Sequence, residues 1–545
     1  MINRRRFLGT TAAGTAGLAM STSGCAPGGD SSGGATVSSQ DSQVPPFELD
    51  EVTVTELQAS MASGERTSRS ITELYLGRIE ALDRQGPELR SIIETNPDAL
   101  ALADELDAER AAGHVRGLLH GIPVAIKDNI DTHDGMTTTA GSLALEGSIP
   151  AQDAYIAAQL KAAGAIVLAK ANMGEWAYFR GYAASSGWSA RGGQCRMPYA
   201  LNRNPCGSSS GSGVAVSANL VPLTIGTETG GSIMCPSSIN GVVGIKPTVG
   251  LWSRSGIIPI SHSQDTAGPM ARTVRDAAIL LGPLTGVDPR DEATAASAGN
   301  AHTDYTQFLD ADGLRGARIG VARSFTGFDP RIIELFDDAI NAMRDAGAVI
   351  VDPANLDASA WNDPLSLVLL EYEFKADLNA YLEGLGPDAP VKSLAEVIAF
   401  NEANADREMP YFGQQRMHDS QARGPLTDRA YVEAKRTVQR SNREDGIDGL
   451  MDDHRLDVIV APTRDLSWPT DHIRGDRLEG GSSAGPAAIA GYPDISVPMG
   501  LVSGLPVGLS FFGRAWSEPT LLRVAYAYEQ ATHMRRPPTF APSLG

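Results

Sequence analysis

Cys206-Gly207-Ser208-Ser209-Ser210-Gly211-Ser212-Gly213, followed by Gly226-Thr-Glu-Thr-Gly-Gly-Ser232, sets Ser208 and Ser232 24 residues apart, each in a glycine-rich turn. Glycine and serine crowd together where backbone approaches a ligand closely, and the free N–H groups of such a loop can hold a developing negative charge beside a nucleophile. The same composition also describes flexible linkers. Here the run is embedded instead: Val214–Leu220 has helical character, and Val221–Ile225 is an apolar, β-rich run entering the second glycine turn. Gly207–Gly211 also matches G-x-S-x-G, which would make Ser209 the nucleophile of a strand–turn–helix elbow. That elbow needs a buried strand directly before it, and Leu201–Pro205 is polar and broken by proline.

A third piece is Lys127, which closes the apolar run Gly121-Ile-Pro-Val-Ala-Ile-Lys127. A lysine at the end of a buried strand loses its proton readily through desolvation, so it can act as a base where no histidine is at hand; a structural ion pair is the competing role. The carboxyl end of such a strand is also where open α/β sheets place ligands.

These motifs resemble the amidase signature family, and within it the peptide amidases. The family's core is carried by Gly207-Ser208-Ser209, Gly226-Thr-Glu-Thr-Gly-Gly-Ser232 and Gly244-Ile-Lys-Pro-Thr248. The narrower likeness is carried by Gly187-Trp-Ser-Ala-Arg-Gly-Gly-Gln194, Gly256-Ile-Ile-Pro-Ile-Ser261, Ser263-Gln-Asp-Thr-Ala-Gly-Pro-Met270 and Ala515-Trp-Ser-Glu-Pro519. The likeness runs from about Phe47 to about Pro538. It implies that Ser232 attacks an amide carbon and carries the acyl group. Ser208, after a cis peptide bond at Gly207, would relay the proton to Lys127, and the amides of Thr229, Gly230, Gly231 and Ser232 would form the oxyanion hole. The implied reaction is cofactor-free release of ammonia from the C-terminal amide of small peptides by a monomer. A broader acylamidase or esterase acting on aryl or aliphatic amides is the alternative. An amidotransferase using glutamine and aminoacyl-tRNA, and a non-catalytic binding lipoprotein, are more distant ones. Met234 stands where many members carry arginine, which argues against a small carboxylate-bearing substrate held at that position.

Around this core, Trp188, Ser209 and His262 are candidate substrate contacts, and Asp265 is read as serving local structure. None of the nine histidines sits in a metal-site or triad motif, so no metal is expected. Cys195, Cys206 and Cys235 fit no zinc spacing and are read as small buried thiols.

Asn3-Arg4-Arg5-Arg6-Phe7-Leu8 resembles a twin-arginine export signal, and Thr22-Ser-Gly24-Cys25 a lipoprotein processing site. We therefore expect a signal at 1–25 with Cys25 lipidated or the leader simply cleaved, a flexible tether at 26–46, and a catalytic domain at 47–545 located in the periplasm or envelope. The only membrane contact expected is the anchor at Cys25. The chain is 42% hydrophobic and 20% charged, with a mean hydropathy of −0.14, enough for a large core but for no span beyond the signal. A net charge of −20 argues against a nucleic-acid partner.

The fold expected is one large α/β unit whose central mixed, mostly parallel sheet is flanked by helices. Apolar runs at Val124–Ile126, Ile166–Ala169, Leu223–Ile225, Ile319–Ala322, Val349–Val351, Val458–Val460 and Ile495–Val497 alternate with helix-like stretches at Asp153–Ala163 and Pro330–Ala346. Ser70-Ile-Thr-Glu73 reads as a capping box. About 354–449 reads as a helical layer bordering the cleft.

Overall fold

Every apolar run read as a strand enters a single sheet. The computed structural model describes residues 44–357 and 363–544, so the leader at 1–25 with Cys25, and the tether up to residue 43, lie outside the described residues. Along the chain the strands are β1 Ile92–Thr95, β2 Pro123–Lys127, β3 Ile166–Ala171, β4 Trp188–Ser189, β5 Gly193–Gln194, β6 Leu223–Glu228, β7 Val243–Lys246, β8 Thr266–Ala271, β9 Arg318–Val321, β10 Val349–Val351, β11 Val458–Pro462, β12 Asp494–Val502 and β13 Leu505–Phe512.

β4 and β5 form a small hairpin; the other eleven make one sheet in the order β1-β3-β2-β6-β8-β7-β12-β13-β11-β9-β10. It is mixed. β3, β2 and β6 run parallel, as do β11, β9 and β10, while antiparallel pairs from β6 to β11 form the centre. On the β3-β2-β6 flank both faces of the sheet are covered, and β2, β3 and β6 are buried along their whole length. β8 and β13 carry Gly268-Pro269 and Pro506-Gly508 inside them, which hid them from a reading by apolar runs.

Helix starts follow local chemistry. Asp329 caps Pro330–Asp345 by accepting from the Arg331 amide at 2.9 Å, with Pro330 in the first turn. The capping box placed at Ser70–Glu73 is corrected: the helix Ser68–Ile79 is capped by Thr67, and Ser70 is the reciprocal partner in its first turn. The helix read at Val214–Leu220 begins earlier and spans Ser210–Ser217, entering the Gly/Ser run itself. Its residues are all buried, so packing overrides the weak helix propensity of glycine and serine. From residue 363 to 442 the chain is helical, with Pro364–Gly384, Leu394–Ala403, Gln415–Gln421 and Arg429–Asn442 as the main pieces. No helix among the described residues is long and apolar enough to cross a membrane.

Candidate active site

Lys127 ends β2 fully buried, and its Nζ lies 2.8 Å from Ser208 Oγ, 2.8 Å from Thr227 Oγ1 and 3.1 Å from the Thr227 carbonyl oxygen. The parallel pairing of β2 with β6 puts Lys127 beside Thr227 near the strands' carboxyl ends. No carboxylate among the described residues lies within ion-pair distance. Burial pushes the ammonium down to about 7, against the weaker opposing pull of Asp265 and Glu228.

The peptide bond Gly207–Ser208 is cis. A side chain at Gly207 would put its Cβ 3.0 Å from Ser186 Oγ and 3.1 Å from Ser210 Oγ, so packing here favours glycine. One residue on, the Ser209 amide donates to the Ser232 carbonyl at 3.1 Å and fastens the two serine loops together. Ser232 is partly exposed on the wall of a cavity of about 580 Å³, together with Gly230 and Gly231. Gly231 has φ +94°, a conformation L side chains rarely adopt. Neither the Gly230 nor the Ser232 amide is taken by a backbone acceptor in the described chain.

Glu228 anchors the turn beneath them. Its Oε2 accepts from the Ile233 amide at 2.7 Å and the Met234 amide at 3.0 Å. Thr229 is held from the side: its hydroxyl donates to Asp265 Oδ1 at 2.5 Å, while Asp265 Oδ2 accepts the Ile260 and Ser261 amides, each at 2.8 Å. Asp265 thus has the structural part read for it.

Three candidate substrate contacts are placed elsewhere. Ser209 is buried with its hydroxyl committed to Thr227, donating to the carbonyl at 2.9 Å and accepting the amide at 3.1 Å; it is neither an elbow nucleophile nor a cavity residue. Trp188 is a core residue, edge-on to Phe412 at 5.2 Å with the Arg180 guanidinium 5.1 Å from its ring centre. His262 lines a separate cavity of about 300 Å³ behind the oxyanion loop. Its Nδ1 lies 2.9 Å from Asp377 Oδ2 and its Nε2 3.1 Å from Glu373 Oε1. These three are the one cluster among the described residues with ligand atoms close enough to hold a metal ion. Lys435 Nζ, 3.3 Å from His262 Nε2 and 3.6 Å from Glu373 Oε1, already supplies a cation there, so the group reads as an ion-pair network tying the loop to the helical segment. Met234 is fully buried and away from the catalytic cavity.

The cysteine reading is also corrected. Cys206 and Cys235 form a disulfide, and only Cys195 remains a free buried thiol among the described residues. The bond joins the residue before Gly207-Ser208 to the third residue after Ser232, so it staples both serine loops across a 29-residue separation. Closing a loop of that size is worth about 3 kcal/mol. Reducing the protein, or replacing both residues with serine, is expected to lower unfolding stability by about 3 kcal/mol and to depress activity. Denaturant midpoints with and without reductant check this, and unchanged midpoints would contradict it.

The fold, with its paired serine loops beside a buried lysine, is that of an amide hydrolase of the amidase signature type. The family model "Amidase" matches residues 70–522, and the chain belongs to this family. It is 52% identical to the native peptide amidase from Stenotrophomonas maltophilia, with a TM-score of 0.87, covering 90% of this chain and 99% of that one. A protein of Arabidopsis thaliana described as a probable amidase is 42% identical over 91% of this chain and 92% of its own length. A glutamyl-tRNA(Gln) amidotransferase component from Chloroflexus aurantiacus is 37% identical over 90% of this chain and 99% of its own.

Proposed function

We propose that this amidohydrolase removes ammonia from the C-terminal amide of small peptides, with Ser232 as nucleophile, Ser208 as proton relay and Lys127 as base. The observation that carries the chemistry is the buried Lys127 amine, without a carboxylate partner, 2.8 Å from Ser208 Oγ. A neutral amine has two hydrogens and one lone pair. With the hydrogens given to the Thr227 carbonyl and hydroxyl oxygens, the lone pair faces Ser208.

As Ser232 Oγ bonds to the amide carbon, its proton passes to Ser208 Oγ while the Ser208 proton passes to Lys127. The oxyanion is held by the Gly230 and Ser232 amides. The proton on Lys127 then returns through Ser208 to the departing nitrogen, ammonia leaves, and water releases the acyl group by the same transfers in reverse.

The peptide amide as substrate is supported by the 52% identity to a peptide amidase. A net charge of −20 disfavours the tRNA-dependent alternative. The test is ammonia release from an amidated dipeptide and from an aryl amide, with Ser232→Ala as the blank. Faster turnover of the dipeptide amide is expected; turnover of the aryl amide alone would favour a general acylamidase. The same reading makes the protein an exported monomer, whether anchored at Cys25 or free. Arg4-Arg5 in an export-like leader supports this, as does the Cys206–Cys235 disulfide, a state that oxidising compartments maintain.

A further inference from the structure

In a chain of net charge −20, the catalytic cavity is lined, among the described residues, by two arginines, Arg416 and Arg464, and by no aspartate or glutamate. Arg464 follows β11 and is only 6% exposed, yet among the described residues it has no ion pair within 4.0 Å, and its Nε is buried with no hydrogen-bond partner. Two carboxylates share its surroundings, and both are engaged by other donors. Asp476 accepts from the Ser186 amide at 2.9 Å, the Ser186 hydroxyl at 2.5 Å, Asn204 Nδ2 at 3.2 Å and Trp468 Nε1 at 3.2 Å. Asp465 accepts from the Leu466 amide at 2.6 Å.

Arg416, from the helical segment, is the second cation. Its Nη1 is also buried without a partner, and its guanidinium lies 5.4 Å from the Tyr182 ring centre and 5.8 Å from that of Phe179. A guanidinium stays charged in proteins, and a buried one lacking its carboxylate is costly unless something else supplies the negative charge. Its planar fork matches a carboxylate in two hydrogen bonds. Two separate segments thus bring positive charge to this cavity.

We propose that Arg464, assisted by Arg416, is a specificity determinant that selects peptide amides bearing a carboxylate close to the scissile amide. The inference rests on the peptide-amide reading above. The carboxylate can come from the amidated residue or from the residue before it. The test therefore compares kcat/KM for acetyl-Ala-Glu-amide and acetyl-Glu-Ala-amide, each against its glutamine counterpart.

A charged hydrogen bond of this kind is expected to favour glutamate by about tenfold or more in one of the two pairs, and that pair identifies the position. The ratio should fall to near one in Arg464→Gln and survive in part in Arg464→Lys. Equal rates for glutamate and glutamine in both pairs, or an unchanged ratio in Arg464→Gln, would overturn the proposal. Should Arg464→Gln fail to fold, the wild-type ratio and its reduction in Arg416→Gln decide the matter. If an aryl amide is hydrolysed but none of the four peptides is, the peptide-amide reading fails by itself. The four compounds then serve as competitive inhibitors of aryl-amide hydrolysis, and the same glutamate preference, or its absence, decides the role of Arg464.

Discussion

Ser232→Ala is expected to lower ammonia release by about a millionfold, because removing the nucleophile of a serine hydrolase disables the whole proton-transfer unit and leaves only what binding and the oxyanion donors supply. The variant should fold, since no hydrogen bond of the Ser232 side chain holds the described structure together. The link between the two serine loops runs through the Ser232 carbonyl, which alanine keeps. Ser208→Ala is expected to cost less, in the range of about 100- to 10,000-fold for loss of a positioned proton-transfer group. Rapid quenching followed by mass spectrometry separates the two roles: an acyl adduct on Ser232 should form in the wild type and be absent in Ser232→Ala. An adduct on Ser208, or a Ser232→Ala rate within a hundredfold of wild type, would reverse the assignment.

What the sequence disclosed and what it concealed follow from the range of the interactions involved. Lys127, Ser208 and Ser232 stood out because each sits in a local pattern, an apolar strand end or a glycine-rich turn, although the contact that joins Lys127 to Ser208 spans 81 residues of chain. β2 and β3 were legible for the same reason, their burial being written in the apolar runs Val124–Ile126 and Ile166–Ala169, and β6 through its start at Leu223–Ile225. The disulfide was not. Cys206 and Cys235 come to a Cα separation of 6.0 Å in the fold, where the Ser209–Ser232 backbone bond also joins their loops, and spacing alone does not pair cysteines.

Trp188 misled in the opposite sense. It lies in a stretch that suggests substrate contact, yet Phe412 and Tyr411 from a distant segment, with Arg180 eight residues before it, close over it. Ser209 looks equivalent to its neighbour until the fold hands its hydroxyl to Thr227. Arg464 sits in no motif and draws notice only once the fold leaves it without an ion pair, the two carboxylates near it being held by other donors.

Lys127→Ala should lower kcat/KM by about a thousandfold or more while leaving the protein folded, since a general base contributes about 100- to 10,000-fold and Ser208 then has no group to receive its proton. The pH dependence distinguishes this role from a purely structural one. Burial lowers the lysine to about 7, so the neutral, competent form predominates above that pH and is lost as protons are added below it. Wild-type kcat/KM should accordingly rise tenfold per pH unit on the acid side and level off near 7. Asp265, pushed up to about 6 by its own burial, titrates close enough to imitate such a limb. Asp265→Asn resolves the two: if Lys127 is the base, the limb persists in that variant, near 7 or slightly lower because a carboxylate that favours the ammonium has been removed. A limb that vanishes in Asp265→Asn, or a Lys127→Ala enzyme with the wild-type profile, would assign the base elsewhere. Removing a negative charge lowers the pKa of any group beside it, so a downward displacement places the limb on a neighbour of Asp265, and loss of the limb in Lys127→Ala assigns it to the lysine.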